Sequence, residues 1–351
     1  MVVPDKKFKQ HSIETLRSRV IVERDRVTST ASTDFPHNYP GQDLSWDLEK
    51  FKENFKIKIN RLSKTDMEFD MIGIDAAVVN AFRRILIAEV PTMAIANVYV
   101  QNNTSIIVDE VLAHRLGLIP ILADPTRFEF RGDANPTDMN TIVFKLQAKC
   151  TPKANVRPGE TDPNKLYNHA TVYSGDLVWE PKGDQAERFK NNPIRPVHDD
   201  IVIAKLRPGQ ELDLEIHCEK GIGQDHAKWS PVATASYRLL PEILVNGEIT
   251  GDLADEFQAC FPKGVVDVVV EDGVKKAKVV NPRKDTVSRE VLRHPAFENK
   301  VKLQRVRDHF IFSIESAGQI EPHVLLVQTI QVLQEKCAMV KRVLQSNLQL
   351  D

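Results

Sequence analysis

The spacing of apolar residues along the chain changes period several times, and each change marks an element. Phe55, Ile57 and Ile59 alternate with Lys56 and Lys58, which predicts a strand with one apolar and one wet face. After a turn near Ser63 to Asp66, Met67, Phe69 and Met71 alternate again. The period then becomes helical. Val78, Phe82 and Ile85 fall at i, i+4 and i+7, with Val79, Leu86 and Val90 filling the next row. The stretch N-A-F-R-R-I-L-I-A-E-V-P, from Asn80 to Pro91, therefore belongs to a helix. Asp75 stands ahead of it as an N-cap, and Pro91 stops it. The stripe is wide for one helix, so burial on more than one side is expected. Arg83 and Arg84 sit inside it, either as charges held in water over apolar stems or as contacts for another chain.

Beyond Pro91, Ala96, Val98 and Val100 alternate as a strand, and D-E-V-L-A-H-R-L-G reads as a short helix capped by Asp109 and stopped by Gly117. Thr141 to Cys150 is strand-like. Ile201 to Leu206 and Leu212 to Ile216 flank Arg207-Pro208-Gly209-Gln210, which predicts a β-hairpin closed by a type II turn. His226 to Leu240 reads as a return to the first domain. A small helix at Asp252 to Phe261, a hairpin around Glu271-Asp272-Gly273 and a helix near Asp285 to Arg293 follow, before Phe310, Phe312 and Ile314 mark another strand. The strongest periodic signal comes last. Leu326, Ile330, Leu333, Cys337, Val340 and Leu344 step by 4, 3, 4, 3 and 4 residues, a heptad seam widened by Leu325, Val332 and Met339. Pro322 fits the first helical position, with Glu321 as cap. The seam is too broad for one sheet face and predicts a helix partner from another chain.

At 351 residues the chain is long for one core, and two domains are expected. With 47 basic and 49 acidic residues it carries no global basic field to drive nucleic-acid binding. No apolar run is long enough to span a bilayer. The first ten residues are charged and lack the apolar core of a signal peptide, so a cytosolic or nuclear protein is expected. Residues 1 to 46 read as an irregular extension, since Thr28 to Trp46 is rich in Ser, Thr, Asp, Asn, Pro and Gly without a period.

Candidate chemistry adds little. Cys150, Cys218, Cys260 and Cys337 share no C-x-x-C spacing. His198-Asp199-Asp200, and His217-Cys218 with His226, lack the paired spacing that sets two metal ligands on one face. Gly221-x-Gly223 lacks the third glycine and the lysine of a phosphate loop. No nucleophile sits in a G-x-S-x-G elbow. Arg283-Lys284 and Arg289 to Arg293 form a basic patch diluted by Asp285 and Glu290, expected on a solvated helix face. A core, two apolar seams and no reaction centre point to an assembly protein. An enzyme with a site formed only in the fold, and a nucleic-acid binder, are the rival classes.

The Asn80–Pro91 stretch resembles the α-subunit family of multisubunit RNA polymerases, whose bacterial members carry a similar N-A-[LF]-R-R-[IV]-L helix. D-E-V-L-A-H-R-L-G-L-I-P-I from Asp109, H-A-K-W-S-P from His226 and F-I-F-S-I-E-S-A-G-Q-I-E-P from Phe310 are similar, in the same order, to stretches of archaeal and eukaryotic members. Without the cysteine cluster of some relatives, and with T-A-S-T-D-F-P from Thr30 and R-K-D-T-V-S-R-E-V-L from Arg283, the chain is most similar to the larger α-like subunits of eukaryotic RNA polymerases I and III. The resemblance implies an α+β fold, with a discontinuous dimerisation domain (47–92 plus 229–351) and an inserted strand-rich domain (93–228). It implies a smaller α-like subunit as heterodimer partner, meeting Val78, Phe82, Ile85, Leu86, Leu326, Ile330, Leu333, Cys337, Val340 and Leu344. It implies that Asn80, Arg83 and Arg84 meet the second-largest subunits of polymerases I and III, with small zinc-binding subunits docked nearby. The implied role is non-catalytic assembly for transcription of rRNA, 5S rRNA and tRNA genes, in the nucleus and nucleolus, with no cofactor, no metal, no membrane and little nucleic-acid contact.

Overall fold

The computed structural model describes residues 13–28, 30, 45–154, 156–157, 159–271 and 273–348. The fold is α+β. Its longer elements are α1 (Ile13–Ser18), β1 (Arg19–Val22), β2 (Val27–Thr28), α2 (Leu48–Asn54), β3 (Lys56–Leu62), β4 (Asp66–Ile72), α3 (Ala76–Ala88), β5 (Thr92–Asn103), α4 (Asp109–Gly117), β6 (Thr141–Lys149), β7 (Val178–Glu180), β8 (Glu211–Gly221), β9 (Val232–Val245), α5 (Asp252–Ala259), β10 (Val266–Glu271), β11 (Val274–Val279), β12 (Val301–Ser316) and α6 (Pro322–Leu348). The chain divides into two compact units. One holds Met1–Asn60, Phe69–Val79 and Tyr237–Phe312; the other holds Arg61–Glu68, Asn80–Ser236 and Ser313–Asp351.

A six-stranded sheet runs in the order β2-β1-β12-β4-β3, and β9 pairs with β12 as well. In the first unit, Phe69 and Phe312 stack with ring centroids 5.2 Å apart, and Tyr237 meets Phe310 edge-on at 5.6 Å. A second cluster forms around Phe257, which meets Phe261 and Phe297 at 5.1 and 5.4 Å and is joined by Val22, Ile243, Val265 and Leu303. Asp70 is buried and compensated. Arg283 lies 2.7 Å from its carboxylate, His309 lies 3.1 Å away, and Asn60 donates at 3.0 Å. The basic patch expected in solvent thus sends Arg283 inward. The helix expected near Asp285 to Arg293 shrinks to a 3₁₀ turn at Glu290–Arg293, because Val287 and Arg289 adopt left-handed backbone at φ 58° and 63°.

The irregular extension also needs correction. Within it, Val20, Ile21 and Val22 are buried, and β1 pairs antiparallel with β12 from Arg19 opposite Val306 to Val22 opposite Leu303. The stretch R-V-I-V is short, yet its apolar residues extend a sheet through β12, a strand from the far end of the chain, and β2 pairs on its other side. Most of Thr28 to Trp46 lies outside the described residues.

The second unit is built on a four-stranded antiparallel sheet, β7-β6-β8-β5, with Ile216 of β8 opposite both Val98 of β5 and Phe144 of β6. Leu112 and Leu116 of α4 pack into its core with Ile95, Phe144, Leu214 and Ile216. Asp109 is the first residue inside α4 rather than its cap; Val108 holds the cap position without a side-chain bond, and Asp109 accepts from Asn103 at 2.7 Å. The turn at Arg207–Gln210 forms, with the Gln210 amide donating to the Arg207 carbonyl at 2.9 Å and Gly209 at φ 90°. The hairpin does not. Val202–Lys205 pairs with Thr171–Tyr173, while β8 pairs with β5 and β6. A turn signal fixes a local reversal and leaves the choice of pairing to the core.

Arg19 anchors β1 through Glu242 of β9, its Nε donating to the carboxylate at 2.7 Å. Burial pushes the Glu242 carboxyl up, but hydrogen bonds from Arg19 and Gln304 outweigh it and hold the carboxyl below its ordinary range. A depressed folded pKa gives stability that is full above the unfolded value, about 4.3 for glutamate, and is lost as the pH falls through the lower folded value. Glu242→Gln is therefore expected to lower the urea midpoint at pH 7, with the gap to the parent chain closing below about pH 4. An equal gap at pH 3 and pH 7 would show that the carboxylate charge does not anchor β1.

Candidate partner interface

The capping of α3 follows the expectation: the Ala77 amide donates to the Asp75 carboxylate at 2.7 Å. Its apolar stripe is spent on the chain itself. Phe82, Ile85 and Leu86 are 8%, 2% and 0% exposed. Of the stripe residues assigned to a partner, only Val78 is exposed. Arg84 is exposed, whereas Arg83 is half-buried and its Nε donates to Asn80 Oδ1 at 3.1 Å, three residues back. Asn80 and Arg83 thus form a local pair that fixes the guanidinium.

The C-terminal end of α3 is closed by the loop after β8. The Gln224 amide donates to the Ala88 carbonyl at 2.8 Å. A Cβ on Gly223 would stand 2.2 Å from the Ile87 carbonyl oxygen, so only glycine lets the loop reach the last turn. The same loop is pinned by Trp229. Its Nε1 donates to the Glu219 carbonyl at 3.0 Å, and its own carbonyl accepts from Thr92 Oγ1 at 2.7 Å. Lys228 Nζ lies 4.3 Å from the Trp229 ring centroid, and burial pushes its ammonium pKa down while Glu219 pulls it back up.

The start of α6 is fixed just as firmly. The buried Gln319 donates to the carbonyls of Met93 and Ile121 at 3.1 and 3.4 Å. Ser316 Oγ donates to the Ile320 carbonyl at 2.6 Å and accepts the Gly318 amide at 2.9 Å. Leu325 and Leu326 are buried, and Ile330 and Leu333 are half-buried. Then the seam leaves the protein. Every residue from Gln334 to Ser346 is exposed, including Cys337 and the apolar side chains of Met339, Val340, Val343 and Leu344, each more than half exposed. Lys336 marks the departure, its Nζ 2.7 Å from the Glu89 carboxylate at the end of α3. Covering the four apolar side chains is worth about 1 kcal/mol apiece.

The metal candidates are occupied otherwise. His217 Nε2 lies 2.9 Å from the Glu215 carboxylate and its ring meets Tyr99 at 4.8 Å; His226 Nδ1 accepts the Lys228 amide at 3.0 Å. Burial pushes the Cys150, Cys218 and Cys260 thiols up, away from the thiolate a metal needs. Among the described residues no three potential ligands converge. Sequence reasoning missed the Glu89–Lys336 tie and the division of the seam. Periodicity registers an apolar row without saying what covers it.

An α+β fold whose two amphipathic helices, α3 and α6, are joined by an ion pair, with a long apolar overhang on the second, matches one family model over residues 68–337. The chain belongs to the RNA polymerase Rpb3/Rpb11 dimerisation-domain family. Among curated relatives, the DNA-directed RNA polymerases I and III subunit RPAC1 of Homo sapiens is 52% identical over 328 residues, covering 93% of this chain and 95% of that protein. The Saccharomyces cerevisiae subunit of the same name is 49% identical over 325 residues, covering 91% and 96%. The Arabidopsis thaliana DNA-directed RNA polymerases II, IV and V subunit 3 is 32% identical over 293 residues, covering 80% and 88%.

The Trp229 pin predicts a sharp local effect. A Cβ on Gly221 would stand 2.4 Å from the indole ring. Gly221→Ala is expected to destabilise the chain by about 1–3 kcal/mol, read as a lower thermal midpoint, with Trp229 fluorescence shifted toward that of solvated indole. An unchanged midpoint and spectrum would mean that the ring is not held against β8.

Proposed function

We propose that this chain is a non-catalytic assembly subunit shared by RNA polymerases I and III, acting in transcription of rRNA, 5S rRNA and tRNA genes in the nucleus and nucleolus. Support for the polymerase class is the higher identity, over most of the chain, to subunits named for polymerases I and III than to one named for polymerases II, IV and V. The observation that carries the assembly role is the uncovered apolar row on α6 beyond Lys336. Its partner in this reading is a smaller α-like subunit, whose helix covers Cys337, Val340 and Leu344 and extends toward Leu333 and Ile330. Val78 adds to the contact. Phe82, Ile85, Leu86 and Leu326 act from inside, holding the two helices that present the face. Residues 47–92 and 229–351 form one dimerisation domain around an inserted 93–228, a reading supported by the return of β9 to pair with β12 in the sheet that holds β3 and β4. The second-largest subunit docks at Asn80, Arg83 and Arg84, and small zinc-binding subunits sit nearby. No residue of this chain takes part in catalysis, and it carries no cofactor.

Val340 and Leu344 are exposed, so aspartate at both is expected to leave the fold intact. Val340→Asp with Leu344→Asp should abolish co-purification with the smaller α-like subunit, since a carboxylate buried without a partner is costly. Retained co-purification with unchanged circular dichroism would refute the seam. Arg84→Ala with Arg83→Ala should keep the heterodimer while weakening capture of the second-largest subunit at least tenfold. Normal capture would return both arginines to solvent.

A further inference from the structure

The stretch from Trp46 to Asn60 presents an exposed surface of its own, made of residues outside the proposed heterodimer contact. β3 is the end strand of the six-stranded sheet, and each of its residues is exposed. Its outer row of peptide groups has no strand beside it among the described residues. Ile57 and Ile59, 42% and 54% exposed, alternate with Lys56 and Lys58 on the opposite face. No acidic residue lies between Asn54 and Asn60, and neither lysine forms an ion pair among the described residues. In α2, just ahead, Lys50 and Lys52 are matched by Asp47 and Glu49 at 3.9 and 2.9 Å, so the cationic excess sits on the strand. None of the residues of α2 is buried, and Trp46 and Leu48 extend the apolar surface.

Lysines on an edge strand commonly serve to keep other strands away. That role does not account for exposed isoleucines between them, which a protective edge avoids. A nucleic acid would use the cations and leave both the isoleucines and the peptide edge unmatched. We propose that β3 receives an extended acidic segment of a partner chain as an added strand. Its carboxylates face Lys56 and Lys58, its apolar side chains cover Ile57 and Ile59, and main-chain hydrogen bonds fix the register. From Lys56 to Asn60 the site spans about 17 Å.

The test uses the full chain and four labelled probes followed by fluorescence anisotropy: a seven-residue alternating Glu/Val peptide, the same peptide N-methylated at alternate amides, a Lys/Val peptide of the same pattern, and a single-stranded DNA oligonucleotide. Saturable binding of the Glu/Val peptide is expected, weakening with salt and falling at least tenfold on N-methylation. Lys56→Glu with Lys58→Glu should lose that peptide and gain the Lys/Val one, with unchanged circular dichroism. The Val340→Asp, Leu344→Asp chain should bind as the parent does, which separates this site from the heterodimer face. No saturable binding, equal binding of the methylated peptide, binding unaltered by the lysine reversals, or tighter binding of DNA at these lysines would each overturn the proposal.

Discussion

The apolar row of α6 is longer than the core that covers it among the described residues. The helix has 27 residues and is about 40 Å long. Its first turns are locked by Gln319, Ser316 and the buried Leu325 and Leu326, so the direction of the axis is set before the overhang begins. Past Lys336, among the described residues, only local hydrogen bonds and helix propensity hold the chain, which is marginal for a segment of this length in water. A helix that keeps Val340, Val343 and Leu344 exposed would therefore gain stability from the helix proposed to cover it. The Glu89–Lys336 pair is partly exposed and worth little as energy. Its effect is positional, since it ties the point where α6 leaves the core to the end of α3.

That tie gives the loop after β8 its importance. Gly223 and Gln224 close the last turn of α3, and Trp229 pins the loop back to Thr92 and to the Glu219 carbonyl. These contacts join residues distant in sequence through backbone groups, which leaves little freedom for substitution. Gly223 has no room for any side chain. The position of α3, and of the carboxylate that meets Lys336, thus depends on a loop more than a hundred residues later in the chain.

Where the sequence was legible, a local rule decided the outcome. The Asp75 cap and the Arg207–Gln210 turn depend on neighbours within a few residues, and both form; Phe310, Phe312 and Ile314 are buried in a strand as expected, but Ile311 between them is buried too, so both faces are covered there. Where the choice lay between distant partners, pattern alone did not decide it. The strands beside the Arg207–Gln210 turn pair elsewhere because β8 is the shared neighbour of β5 and β6 in a buried sheet. β1 was hidden by the irregular stretch that follows it, though three of its four residues are buried. Arg283 read as solvated because its partner, Asp70, lies 213 residues away. The candidate interface was legible as a seam and illegible as a surface: the period of Leu326, Ile330 and Leu333 continues unbroken into Cys337, Val340 and Leu344, while burial stops between them.

The two uncovered surfaces differ in the backbone they offer, and this decides what fits each. On α6 the peptide groups from Gln334 up to the last turn are bonded within the helix, so affinity there comes from side-chain packing, and a heptad row is best matched by another helix. On β3 no strand lies along the outer edge among the described residues, so a partner gains main-chain hydrogen bonds there only by being extended. The charges differ in the same sense. The α6 overhang mixes Glu335 with Lys336, Lys341 and Arg342, whereas Lys56 and Lys58 have no acid between Asn54 and Asn60. A helix placed on β3 would leave its edge unpaired, and a strand placed on α6 would bring unpaired peptide groups against apolar side chains at a cost of several kcal/mol. Neither partner would substitute for the other, so the two proposed sites call for two different segments.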